Sequence, residues 1–236
     1  MNFPSTQWSI LAQATLNGDM AGQQALAEFH RQYRGPVVAF IRRRGVPLPD
    51  AEDLAHGFFV HLMEKSALKR ADAARGRFRS FLLGALARHL AHAREQHLAA
   101  KRGGGIAPLS LDAAGPGDGE PSVPPTEAQA YDRDWALQLL QRALDAVAGD
   151  FQKRGRPGDF EVVRAYLPGA LGPAPEYAES AVRLGLGLGA FKTEVHRLRG
   201  RLRDALHREV AATVASPEEV DDEVAYLGRV LQSLQA

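Results

Sequence analysis

Cysteine is absent from the 236 residues, so the chain can build no disulfide, no thiol nucleophile and no cysteine-ligated zinc, and it suits a reducing interior. There is also no run of about twenty apolar residues, which excludes a membrane-spanning helix. The opening MNFPSTQWSI has neither the basic start nor the apolar core of a secretory signal, so a cytoplasmic location is expected. Strand signatures are missing as well. No segment of useful length alternates apolar and polar residues, and no internal repeat is present. Basic residues are lacking from 103–127, where Asp112, Asp118, Glu120 and Glu127 sit among glycines and prolines.

The net charge of +1 conceals segregation. Residues 20–102 carry 15 lysines and arginines against 7 acids, whereas the last twenty residues hold Glu218, Glu219, Asp221, Asp222 and Glu223 against Arg229 alone. A basic N-terminal region, an acidic strap and a second basic region suggest a polyanionic ligand touched in at least two places. The expected fold is all-α: two helical domains joined by a flexible acidic linker, the second containing a helix-turn-helix. The boundaries are 1–102, linker 103–127, 128–214, and an acidic C-terminal helix at 215–236.

Taken in order, Ser5 or Thr6 can cap a first helix that contains Trp8. A helix pair or one kinked helix follows to Arg44, interrupted at Gly35-Pro36 and finished by Arg42, Arg43 and Arg44, a solvated end or a nucleic-acid-facing patch. Asp50 is the expected cap of the next helix, which carries Leu54, Phe58, Phe59, Leu62 and Met63. Two adjacent phenylalanines do not fit one narrow core, so either the helix is buried on two sides or one ring serves a partner surface. From Phe78 to His97 a helix turns Phe78, Phe81, Leu82, Ala85, Leu86 and Leu90 inward, with Arg79, Arg88, His89, His92 and Arg94 outside. Cations interleaved with aromatics suit single-stranded nucleic acid, a solvated arginine-rich face being the plainer reading. His89 and His92 have no carboxylate in register, so no metal site is assigned.

In the C-terminal half, Tyr131, Trp135, Leu139, Leu140, Leu144 and Val147 mark a helix, and residues 160–167 a short one. Tyr177, Ala178, Ala181, Val182 and Leu184 then give a short amphipathic helix that Gly185 terminates. A longer helix begins near Gly189, with Phe191, Val195, Leu198, Leu202 and Leu206 on one face. A helix, a glycine turn and a basic helix form a helix-turn-helix, whose first member braces the second for entry into the major groove. Lys192, Thr193, His196 and Arg197 lie where base edges are reached, and Arg199 where phosphates are. An ordinary hairpin with a solvated basic face stays open beside this. Gly185, Gly187 and Gly189 follow a helix and no strand, which argues against a dinucleotide loop.

With that order in place, the chain resembles the alternative sigma factors of the sigma-70 family, extracytoplasmic-function group. The resemblance rests on the opening Phe3-Pro4-Ser5-Thr6-Gln7-Trp8-Ser9, on Asp50-Ala51-Glu52-Asp53-Leu54 with Gly57-Phe58-Phe59, on residues 75–82 (RGRFRSFL), on residues 195–199 (VHRLR), and on residues 213–223. It implies that Asp50, Glu52, Asp53, Phe58 and Phe59 bind core RNA polymerase. By the same resemblance Arg77, Arg79, Arg88, His89 and His92 open and read the minus-ten promoter element, and the last domain reads the minus-thirty-five element. The resemblance also implies that the acidic linker threads the polymerase's RNA channel, and an inhibitory or activating regulatory protein is a further expected partner. Departures from the pattern are Ala55-His56 for a usual Thr-Gln, Arg88 for a more usual Asn, His92 for Asn or Asp, and Gly187 for a Ser or Thr cap.

The expected function is therefore promoter recognition for core polymerase, with no catalytic residue, metal or cofactor. The alternative is a polymerase-independent regulator that dimerises through its C-terminal helix.

Overall fold

The computed structural model describes residues 20–62, 77–101, 123–168, 170 and 172–233. The expected first helix with Trp8, residue Met63, the basic loop before Arg77 and most of the acidic segment lie outside them. Every regular element among the described residues is helical: α1 (Met20–Arg43), α2 (Leu48–Leu62), α3 (Phe78–Lys101), α4 (Pro125–Lys153), α5 (Pro157–Val163), α6 (Tyr177–Arg183), α7 (Leu188–Ala211) and α8 (Val220–Gln232). Single 3₁₀ turns follow α5 at Arg164–Tyr166 and precede α8 at Pro217–Glu219. No helix among them is long and apolar enough to cross a membrane.

The described residues divide into two compact units, one drawn from 1–138 and 211–236 and the other from 139–210. The division falls within α4, not at the composition change of 103–127. The physical reason is the first half of α4, where Tyr131 and Trp135 are buried and Trp135 stacks on Tyr33 of α1 with ring centroids 4.8 Å apart. Residues after Val210 also return to the first unit, where the Phe78 N–H donates to the Thr213 carbonyl at 3.1 Å.

In the first unit, the apolar stripe of α1 (Phe29, Tyr33, Val37, Phe40 and Ile41) is buried, and Phe29 meets Phe59 and Phe78 edge-on at 5.9 and 5.7 Å. Burying each such side chain contributes about 1.5–3 kcal/mol. Pro36 withholds one backbone donor, yet α1 continues through it as one helix, with Pro36 and Val37 both buried. Asp50 lies inside the first turn of α2 and not at its cap. The arginine triplet is also not a simply solvated end. Arg43 pairs with Asp134 and donates to the Ala130 carbonyl, and Arg44 pairs with Glu127 at 2.8 Å while lying 4.5 Å over the Phe40 ring. These contacts tie the end of α1 to α4 within the unit.

In the second unit, Leu139, Ala143, Val147 and Phe151 of α4 share a core with Phe160 and Val163 of α5 and Phe191, Val195, Leu198 and Leu202 of α7. The α6–α7 connection is set by backbone geometry. Gly185 takes φ 64°, its N–H donates to the Val182 carbonyl at 3.0 Å, and the Leu186 N–H reaches the Ala181 carbonyl at 2.9 Å. This is a Schellman closure, with glycine at the one position where a Cβ would be strained. α7 starts immediately after Gly187, whose carbonyl accepts from Phe191 N–H at 3.0 Å.

Two apolar assignments in α6 are reversed, the first being Ala178, which is exposed. Val182, expected inside, is 78% exposed, and Ser180 is fully buried because its hydroxyl meets the Tyr166 hydroxyl at 2.7 Å. A buried polar pair that satisfies itself outranks the aliphatic stripe in orienting so short a helix.

Candidate nucleic-acid interface

The sequence-derived site residues fall into three groups that the structure treats differently. On α7 the inward side (Phe191, Val195, Leu198, Leu202) is buried, which leaves Lys192, Thr193, His196 and Arg197 exposed over the first two and a half turns. Among the described residues no carboxylate forms an ion pair with Lys192, His196 or Arg197. Glu194, the acid within that stretch, lies 3.8 Å from Arg201. The Thr193 hydroxyl donates to the Gly189 carbonyl at 3.0 Å, a bond within the helix that fixes its rotamer. Arg199 differs from its neighbours: Nε and Nη2 both donate to the Tyr166 carbonyl at 3.2 Å, so its guanidinium is held against the second unit's own backbone. What remains is a short cationic row on a helix whose opposite face is locked by packing, the arrangement that phosphate and base-edge contacts require.

On α2, Asp50 and Asp53 are exposed and Glu52 pairs with Arg34 of α1. Phe58 and Phe59 are each 1% exposed, so neither ring is offered to a partner. The helix is buried on two sides. Phe59 packs on His30 of α1 at 4.8 Å, and Phe58 on His89 of α3 at 5.7 Å. Consecutive residues on a helix diverge by about 100°, and α1 and α3 occupy those two directions.

On α3 the expected outer face is only partly outside. Arg94 is exposed, and Arg88 and His92 are half-buried, His92 lying 3.7 Å from Glu95. His89 and Arg79, expected in solvent, are buried. His89 sits 5.8 Å from the His61 ring, and burial first, then His61 and His92, lowers its pKa from 6.5 to about 4.

Arg79 is the centre of a buried charge cluster. It donates from Nη1 to Asp132 of α4 and from Nε to Glu223 of α8 at 3.1 Å, and its guanidinium lies 4.6 Å over the Tyr226 ring. Burial opposes its charge, but Glu223 and Asp132 outweigh burial and raise its pKa. Arg77 joins from the edge, with Nε 2.8 Å from Glu223 and its guanidinium 5.7 Å from Tyr226. The Tyr226 hydroxyl closes the group by donating to Asp132.

Asp132, Glu223 and Tyr226 were not singled out from the sequence. A signal existed: Glu223 falls between Val220 and Leu227 on the inward stripe of α8, and Asp132 three residues before the buried Trp135. A charge on an apolar stripe announces a buried partner of opposite sign.

Among the described residues no group of three or more His, Asp or Glu is placed to hold a metal ion. Comparison with protein-family models, with curated proteins and with solved structures gives no match to this chain.

Proposed function

We propose that this chain is a promoter-recognition subunit for bacterial RNA polymerase, similar in kind to the extracytoplasmic-function sigma factors, acting in the cytoplasm and catalysing no reaction. The observation that carries this reading is the exposed row Lys192, Thr193, His196 and Arg197 on α7, set behind the Gly185 turn that follows α6. In this reading α6 and α7 are the helix-turn-helix, and α7 enters the major groove at the minus-thirty-five element. The first unit contributes Arg77, Arg88 and His92 to the minus-ten element, with Arg79 and His89 as supports behind them. Asp50, Glu52 and Asp53 of α2 meet core polymerase, and the acidic segment 103–127 threads its RNA channel. Each surface is small, so affinity comes from linked binding on the enzyme that holds both.

The test is capture of core polymerase by the tagged full chain, followed by run-off transcription from promoters selected by the captured complex. Core binding with promoter-dependent transcripts supports the reading, and failure to bind core ends it. Of α8, the helix that a dimeric regulator would pair through, Glu223 and Leu227 are buried within the chain.

A further inference from the structure

We propose that α8 is an internal acidic ligand for Arg77 and Arg79, exchangeable with a nucleic-acid phosphate, so that the free protein masks part of its own cationic surface. The proposal rests on the nucleic-acid reading above and adds to it a regulation of the same surface.

Three observations carry it. The first is identity of contact: Glu223 is 1% exposed and presents both carboxylate oxygens to the two arginines, Oε2 to Arg77 and Oε1 to Arg79. Guanidinium binds carboxylate and phosphate through the same forked donors, so a phosphate can replace this carboxylate. The second is how little apolar surface α8 buries among the described residues. Of its apolar stripe only Leu227 is buried, while Val220, Val224 and Leu231 are half-exposed. Besides Glu223, the described contacts of α8 are Leu227 and Tyr226, whose hydroxyl donates to Asp132 and whose ring lies against Arg79, and a helix with so little apolar burial belongs to the low-stability end of a fold. The third is the hinge. Thr213 and Val214 are buried, with the Thr213 carbonyl bonded to Phe78, whereas Ser216 is extended and Pro217–Glu219 is a single turn. The helix can therefore leave while residues 213–214 stay seated.

The charges support exchange over permanent closure. Asp132 remains with Arg79 when α8 departs, so Arg79 is not left as an unpaired buried cation. Arg77 has no second carboxylate among the described residues and becomes fully available. Buried ion pairs hold helices no better than apolar packing of similar volume, so stability alone does not call for a glutamate here. If α8 is closed in nine molecules of ten, apparent affinity for the ligand is reduced about tenfold.

The experiment uses the full chain and two probes, a fluorescein-labelled duplex and its single strand, read by anisotropy at low salt. Glu223→Gln is expected to tighten binding about tenfold, and Arg77→Ala in that background to remove the gain. Because Glu223→Gln can unfold the first unit, hydrogen exchange on the unmutated protein is the second arm. Amides of residues 220–232 are expected to exchange faster when either probe is added. Unchanged α8 exchange with no gain from Glu223→Gln overturns the proposal. If in that case Lys192→Ala with Arg197→Ala abolishes binding, the nucleic-acid reading survives without it; if no form binds either probe, both fall.

Discussion

The hydroxyls of Tyr166 and Ser180 lie 2.7 Å apart in the interior of the second unit, and the Tyr166 hydroxyl also lies 3.0 Å from the Pro175 carbonyl. One tyrosine thus fixes both the loop that enters α6 and the roll of α6 about its axis. Since α6 has seven residues, it has little stability of its own. Tyr166→Phe removes the oxygen and strands a buried serine, at a cost of about 1–3 kcal/mol. Urea denaturation is expected to show a lower midpoint with an unchanged slope, and an unchanged midpoint refutes the role.

The adjacent rings of Phe58 and Phe59 make a sharper test of what α2 is for. Both are buried, against α3 and α1 respectively, so Phe58→Ala and Phe59→Ala are each expected to cost about 3–5 kcal/mol. Asp53→Asn changes an exposed carboxylate and is expected to alter stability by less than about 0.5 kcal/mol. On the polymerase reading it nonetheless weakens capture of core enzyme. Either phenylalanine variant folding with unimpaired stability contradicts the burial.

The buried imidazole of His89 makes stability depend on pH. Its pKa is lowered from 6.5 to about 4, by burial first and then by His61 and His92, so the unfolded chain binds the extra proton between those values. The stabilising contribution is complete above 6.5 and is lost as pH falls from 6.5 towards about 4. A gap of about 2.5 pH units at ~1.4 kcal/mol each limits the loss to roughly 3 kcal/mol. Urea titrations between about pH 7 and about pH 4.5 are expected to show this decline, reduced in His89→Gln. A flat profile in the unmutated protein counts against it.

Two arginines two residues apart on α7 are expected to behave oppositely. Arg197 is exposed and in no ion pair among the described residues, whereas Arg199 is bonded twice to the Tyr166 carbonyl. Arg197→Ala is expected to leave stability within about 0.5 kcal/mol. It is also expected to flatten the salt dependence of duplex binding by about 0.9 in log–log slope, one phosphate contact's worth. Arg199→Ala is expected to lower stability by about 1.5–3 kcal/mol, the worth of a bond to a charged donor, seen as a lower urea midpoint. Equal effects of the two on stability refute the distinction.

The break between α6 and α7 and the inward row Phe191, Val195, Leu198 and Leu202 were legible in the sequence. Helical periodicity and the freedom of a glycine without a Cβ act over a few residues, and every group involved is local. The same holds for the acidic opening of α2 and for the all-helical class of the described residues. Which way a borderline side chain faces was not legible. Val182 and Ser180 exchange places because of Tyr166, fourteen positions from Ser180. Two-sided burial of Phe58 and Phe59, by contrast, was one of the two readings the sequence offered, and the helices that flank α2 realise it.

The fate of the α3 cations shows the division most clearly. Local pattern placed Arg79 on a helix at a position that solvent would accept. Only the fold brings Asp132 to it from 53 residues away and Glu223 from 144. A charge can be buried only where opposite charges converge, and convergence from such distances is a property of the tertiary structure that no local spacing encodes.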